Sequence, residues 1–127
     1  MWPSPATYRH RATVPVRAAL RVYACGMADY YLVERACGAA WDHSKGRREQ
    51  AEWDAHAAFM DALTEEGVVV LGGPLGEANG ANTLLVVDVD SEAALRARLA
   101  EDPWGEDMLT IERVEPWSVW LRAKAGP

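Results

Sequence analysis

Two short segments constrain the fold of this chain more than anything else in it. Val68-Val69-Val70-Leu71 is apolar at every position, and Thr83-Leu84-Leu85-Val86-Val87-Asp88-Val89 is nearly so. Both are short, rich in branched residues and bounded by glycine or polar turns, which marks them as strands. Side chains on a strand alternate between the two faces of its sheet. A strand apolar at consecutive positions therefore belongs to a sheet covered on both sides. The rest of the chain has to supply that cover.

The other elements follow from pattern. Tyr30 to Ala36 is rich in aromatic and branched residues and reads as a strand. Cys37 to Gly46 is a loop. A helix is expected from about Arg48 to Glu66, with an apolar stripe of Ala55/His56, Phe59/Met60 and Leu63, ended by Gly67. Gly72 to Ala81 is a Gly/Asn/Pro-rich connection. Ser91 caps a second helix, Glu92 to about Ala100, that turns Ala94, Leu95 and Leu99 inward until Asp102-Pro103 breaks it. Met108 to Val114 makes a fourth strand, and Pro116 to Leu121 a short further one. The order β-α-β-β-α-β is the ferredoxin-like pattern, an α+β fold with an antiparallel sheet. Right-handed crossovers place both helices on one face. The simplest cover for the other face is a second copy packed sheet to sheet, which gains roughly 25 cal/mol per Å² of apolar surface buried. The expectation is an obligate homodimer of the α+β barrel type.

Length and charge narrow the function. The chain has 127 residues, enough for one domain, and a formal net charge of −6. Arg9, Arg11, Arg17 and Arg21 give residues 1–26 a charge of +4 with no acid, while the remainder carries 9 basic and 19 acidic groups and a charge of −10. An acidic body argues against a nucleic-acid surface. The Pro- and Arg-rich start reads as a transit peptide, a disordered tail, or sequence upstream of a true start at Met27, the reading favoured here. The expected division is an extension at 1–27, a domain at 28–122 and a frayed tail at 123–127. Cys25 and Cys37 lack the spacing of a disulfide framework or zinc site, so reduced thiols in a cytoplasmic protein are expected. No apolar run approaches the ~20 residues that span a bilayer.

The chemistry-bearing residues are few. His56 lies on the apolar stripe of the first helix, and Asp102 follows the second helix in Asp102-Pro103-Trp104, 46 positions away. Imidazole titrates near neutral pH and becomes a general acid or base when a carboxylate orients it. A packed core histidine and a capping aspartate are the competing readings. Trp41, Trp53 and Trp104 are candidates for an aromatic pocket or a dimer interface. Gly73-Pro74 reads as a backbone wall or a simple turn, and Gln50 as a polar contact or a solvated helix start. Glu52 and His56 are four apart, but no second histidine joins them, so neither a metal nor a cofactor is expected. No phosphate-cradling loop precedes a lysine, and no Ser or Cys sits in an activating context. Proton transfer is the chemistry that remains.

Several of these features recur in one order: the helix His56, Glu66-Gly67 leading to Leu71-Gly72-Gly73-Pro74, Leu84 to Val89 followed by Ser91-Glu92, Asp102-Pro103-Trp104, and Val114-Glu115-Pro116-Trp117. Over about residues 29–122 the chain resembles the YCII-related family of small dimeric α+β barrel proteins. The resemblance implies a pocket in which His56 and Asp102 meet as a catalytic dyad acting on a small molecule. Some relatives are linked to dehydrochlorination of chlorinated aromatic compounds. Many members carry an arginine where this chain has Trp53, and some a serine where it has Asn82, so the ligand here is expected to differ. The resulting expectation is a small-molecule-binding protein acting as a lyase, isomerase or dehydrochlorinase. The alternative is a non-catalytic ligand-binding or scaffold homodimer.

Overall fold

The computed structural model describes residues 28–124. Its elements are β1 (Tyr30–Cys37), a short 3₁₀ turn (Arg47–Glu49), α1 (Trp53–Glu65), β2 (Val69–Pro74), β3 (Thr83–Val87), α2 (Glu92–Leu99) and β4 (Leu109–Trp117). The four strands form one antiparallel sheet in the order β2-β3-β1-β4. This is the ferredoxin-like α+β arrangement that the element order predicts. Among the described residues, no helix is long and apolar enough to cross a membrane.

One face of the sheet packs on both helices. Val33, Val69, Leu85 and Val87 from the strands meet Met60 and Leu63 of α1 and Leu95 and Leu99 of α2 in a single core. The helix ends are set by local chemistry. At the end of α1, Gly67 adopts φ +82°, its N–H bonding the carbonyl of Thr64 while the Val68 N–H bonds that of Leu63. This is a Schellman cap, and it delivers Val68 directly into the core. Ser91 Oγ accepts from the Ala94 N–H at 3.0 Å and caps α2 as expected.

Several expected details change. Helix α1 starts at Trp53 rather than Arg48, because the chain first makes the 3₁₀ turn and then passes through a left-handed Glu52 at φ +65°. Strand β2 runs through Gly72, Gly73 and Pro74, which pair with Leu85, Leu84 and Thr83, so Gly73-Pro74 is not a turn. A proline is tolerated there because β2 is an edge strand. Strand β4 absorbs Pro116-Trp117, and no separate strand follows among the described residues. Ala94 faces solvent, since the core side of the two-turn α2 is filled by Leu95 and Leu99. Asp102 does not cap a helix, because the chain after it runs on in turns.

Among the described residues, the helices cover one face of the sheet and leave the second without an element packed on it. Pairing places Leu71, Val86 and Leu32 in one row on that face, and Leu71 is 66% exposed. Trp117, paired with Tyr30, is 42% exposed on the same side.

Candidate functional site

The site forms where α1, the segment after α2 and the core face of β1 meet. His56 enters from the first turns of α1 and is 2% exposed. Asp102 enters from the turn after α2 and is 5% exposed. Both carboxylate oxygens lie 2.9 Å from His56 Nδ1. Oδ1 also accepts from the Trp104 N–H at 2.9 Å, an Asx turn that fixes the carboxylate against its own backbone. Oδ2 accepts from Arg35 Nη2 at 3.1 Å. Surrounded by donors, the carboxylate accepts the Nδ1 proton. The neutral ring then keeps its lone pair on Nε2, which makes no hydrogen bond to another of the described residues.

Trp104 holds the imidazole from one side. The two rings stack with centroids 4.0 Å apart and planes 11° from parallel. The indole is itself fixed: Nε1 donates to the Ala51 carbonyl at 2.7 Å, and Trp41 packs edge-on at 5.6 Å. Trp53 leans on both, 5.8 Å from the His56 ring and 5.7 Å from Trp104. Trp41, Trp53 and Trp104 thus form one aromatic cluster, in which Trp53 and Trp104 lie against the histidine.

Two arginines complete the site, and sequence reasoning missed both. Arg35 is 3% exposed on β1, next to a bulge where β4 inserts Glu112 between its pairings to Glu34 and Arg35. Arg47, at the start of the 3₁₀ turn, donates Nε to the Gly80 carbonyl and Nη2 to the Ala81 carbonyl, each at 3.1 Å, and also to Thr83 Oγ1. Its guanidinium lies 5.8 Å from the Trp104 ring centroid and 6.0 Å from that of Trp41, within cation–π range. Burial pushes Arg47 down to about 10, with Arg35 adding to the effect and Asp102 opposing it, so it stays charged at neutral pH. Burial also lowers Arg35, with Asp102 opposing.

These charges decide the state of His56. Burial is the largest influence and lowers its pKa. The hydrogen bond and charge of Asp102 raise it, and Arg35 and Arg47 lower it further. The net direction is down, so the resting imidazole is neutral at neutral pH.

The family model for the YCII-related domain matches residues 29–118, most of the chain and nearly all of the described fold. The chain belongs to the YCII-related family. Comparison with the curated proteins gives no match.

The remaining expected site residues lie at different places in this YCII-related fold. Gln50 is buried rather than solvated: it bonds the Asp42 carbonyl and N–H and the Lys45 carbonyl, tying down the loop that carries Trp41. Asn82 is exposed and lines, with Trp41, a cavity of roughly 330 Å³ at the β2–β3 connection. Trp53 and Gln50 border a cavity of roughly 380 Å³ at the start of α1. Trp104 and Arg35 line a smaller one of roughly 180 Å³. Gly73 and Pro74 border none of these three, and neither does His56. Among the described residues, no group of three or more His, Cys, Asp or Glu side chains is placed to hold a metal ion.

Proposed function

We propose that this YCII-related protein binds a small molecule and transfers a proton on it, with His56 Nε2 as the base and Asp102 holding the ring. The observation that carries the reading is the 2.9 Å contact of both Asp102 oxygens with Nδ1, which commits one ring nitrogen and frees the other. Asp102 also stabilises the imidazolium formed once the proton is taken. An elimination, an isomerisation or an addition of water suits a single base of this kind. In an elimination, Nε2 takes the proton from carbon, the C–H electrons form the double bond, and the leaving group departs with its own pair. The imidazolium then returns its proton to solvent.

The working unit in this proposal is a homodimer. Leu71 and Trp117 leave apolar area on the sheet face that the helices do not reach, and a second copy packed sheet to sheet would cover it.

Solvent-deuterium incorporation tests the chemistry without knowledge of the product. A panel of small carbonyl and aromatic compounds is incubated with the protein in D₂O and followed by NMR. At least one compound is expected to exchange a carbon-bound proton, with the rate falling ~100-fold or more in His56→Gln. One observation favours a second reading, a binding module without catalysis: the His56 side chain is 3% exposed beneath Trp104. Ligands that stabilise the protein while no compound exchanges would decide for that module.

A further inference from the structure

Arg35 makes less use of its guanidinium than a buried arginine should. Nη2 bonds Asp102, but Nε and Nη1 are both buried and have no hydrogen-bond partner. A guanidinium is all donors and no acceptor, so these two groups are left in need of an acceptor that the described residues do not supply in this arrangement. The buried charge is also unbalanced. Arg35 and Arg47 are cations, and among the described residues Asp102 is the one carboxylate bonded to either, while Arg47 bonds neutral oxygens. A buried charge without a counter-ion is costly, and an anion would relieve it.

There is room for one. Arg35 lines the cavity of roughly 180 Å³, whose apolar walls come from Trp104, Leu109 and Ile111. A dry apolar cavity of about 150 Å³ is enough to take benzene. The exposed Glu106 also borders the cavity and attracts Arg35 through space, but makes no hydrogen bond to it. Arg96 on the same border is engaged with Glu92 at 2.8 Å.

We propose that this cavity is an anion subsite, in which Arg35 Nε and Nη1 hold a carboxylate or enolate oxygen and the apolar walls enclose a flat body of about one ring. The proposal names the ligand class for the acid/base reading above, and it rests on that reading for the ligand being a substrate. Trp104 would touch both partners, lining the subsite while stacking on His56.

Benzoate and benzamide test it, since they share a ring and differ in charge. The full chain is titrated calorimetrically with each in a carboxylate-free buffer, and the Arg Nε–H resonances are followed by NMR. Benzoate should bind at least about tenfold more tightly than benzamide, as a charge-assisted hydrogen bond requires. A single Arg Nε–H resonance, absent from Arg35→Lys, should move with benzoate. Arg35→Lys keeps a cation beside Asp102, so the fold retains its ion pair, yet the preference for benzoate should fall to about threefold or less. Equal binding of the two compounds, no benzoate binding at millimolar concentration, or binding that leaves the Arg35 resonance unmoved would each overturn the proposal. The two readings fail separately. Benzoate held by Arg35 without His56-dependent exchange keeps the subsite and removes the catalysis, and the reverse result removes the subsite alone.

Discussion

Replacing Asp102 by Asn keeps the shape of the side chain and removes its charge, and the structure sets the consequences. The carboxylate is fully buried and accepts from His56 Nδ1, Arg35 Nη2 and the Trp104 N–H. Asn offers one acceptor oxygen, and its amide group meets donors. Arg35, whose Nε and Nη1 already lack partners, is left as a buried cation with no bonded counter-charge. Removing one member of a buried ion pair costs about 3–5 kcal/mol, a large share of the ~5–15 kcal/mol that holds a domain together. At roughly 4–8 °C per kcal/mol for a domain of this size, the melting midpoint falls by about 12 °C or more. The effect on His56 has a definite sign. Burial, Arg35 and Arg47 all lower its pKa, and Asp102 is the influence that raises it. With that charge gone, the imidazole titrates at lower pH than in the wild type. An NMR pH titration of the full chain measures this, with His56 told apart from His10 and His43 by its loss in His56→Gln. A melting midpoint within a few degrees of wild type, or a His56 titration that stays in place or moves up, would refute the reasoning.

Other outcomes follow from the same geometry. The folded-state pKa of His56 lies below the unfolded value of about 6.5, so the unfolded chain takes up this proton first. Its contribution to stability is therefore present above about pH 6.5 and is lost as the pH falls through the folded pKa. Urea midpoints between about pH 7.5 and pH 5 should fall further in wild type than in His56→Gln, and parallel curves would count against this. A Cβ on Gly38 would stand 2.2 Å from the Asp107 carbonyl oxygen, a backbone atom that cannot swing away. Gly38→Ala should cost about 1–3 kcal/mol by urea unfolding, and a loss under ~0.5 kcal/mol would show that the two turns separate easily. Leu71→Asp places a charge on the exposed sheet face at its β2 edge and should convert the proposed dimer to a monomer by light scattering. A monomeric wild type would dismiss the dimer outright.

The fold was legible because its signals are local. Gly67 stops α1 and Ser91 starts α2, and each does so through bonds to residues within four positions. The strands Val69–Pro74 and Thr83–Val87 announce themselves by apolar runs. Errors arose where a distant partner overrides local preference. Gly72, Gly73 and Pro74 carry turn chemistry, yet pairing with Leu85, Leu84 and Thr83 draws them into β2. Arg48 to Glu52 has helical composition, but Arg47 reaches across to Gly80, Ala81 and Thr83, and the chain turns at Glu52 before α1 begins. Nothing near Arg47 in sequence announces those acceptors.

At the site, residue types revealed the pair His56 and Asp102 but not its setting. Arg35 did leave a signal. It stands two residues after Val33, so strand alternation puts both on the same face, and a valine in the middle of an apolar strand faces the core. An arginine sharing that face has to find a carboxylate, and Asp102 is the one it finds. This changes what the pair can do. A carboxylate serving only an imidazole favours the imidazolium, which is a resting acid. Here Arg35 draws on the same carboxylate, and its charge, with that of Arg47, opposes protonation of the ring. Burial, the largest influence, together with the charges of Arg35 and Arg47 outweighs Asp102, so the ring of this pair rests neutral rather than as an imidazolium. A bound anion on Arg35 would offset part of that positive charge, making Nε2 more basic when a substrate is present than when the site is empty.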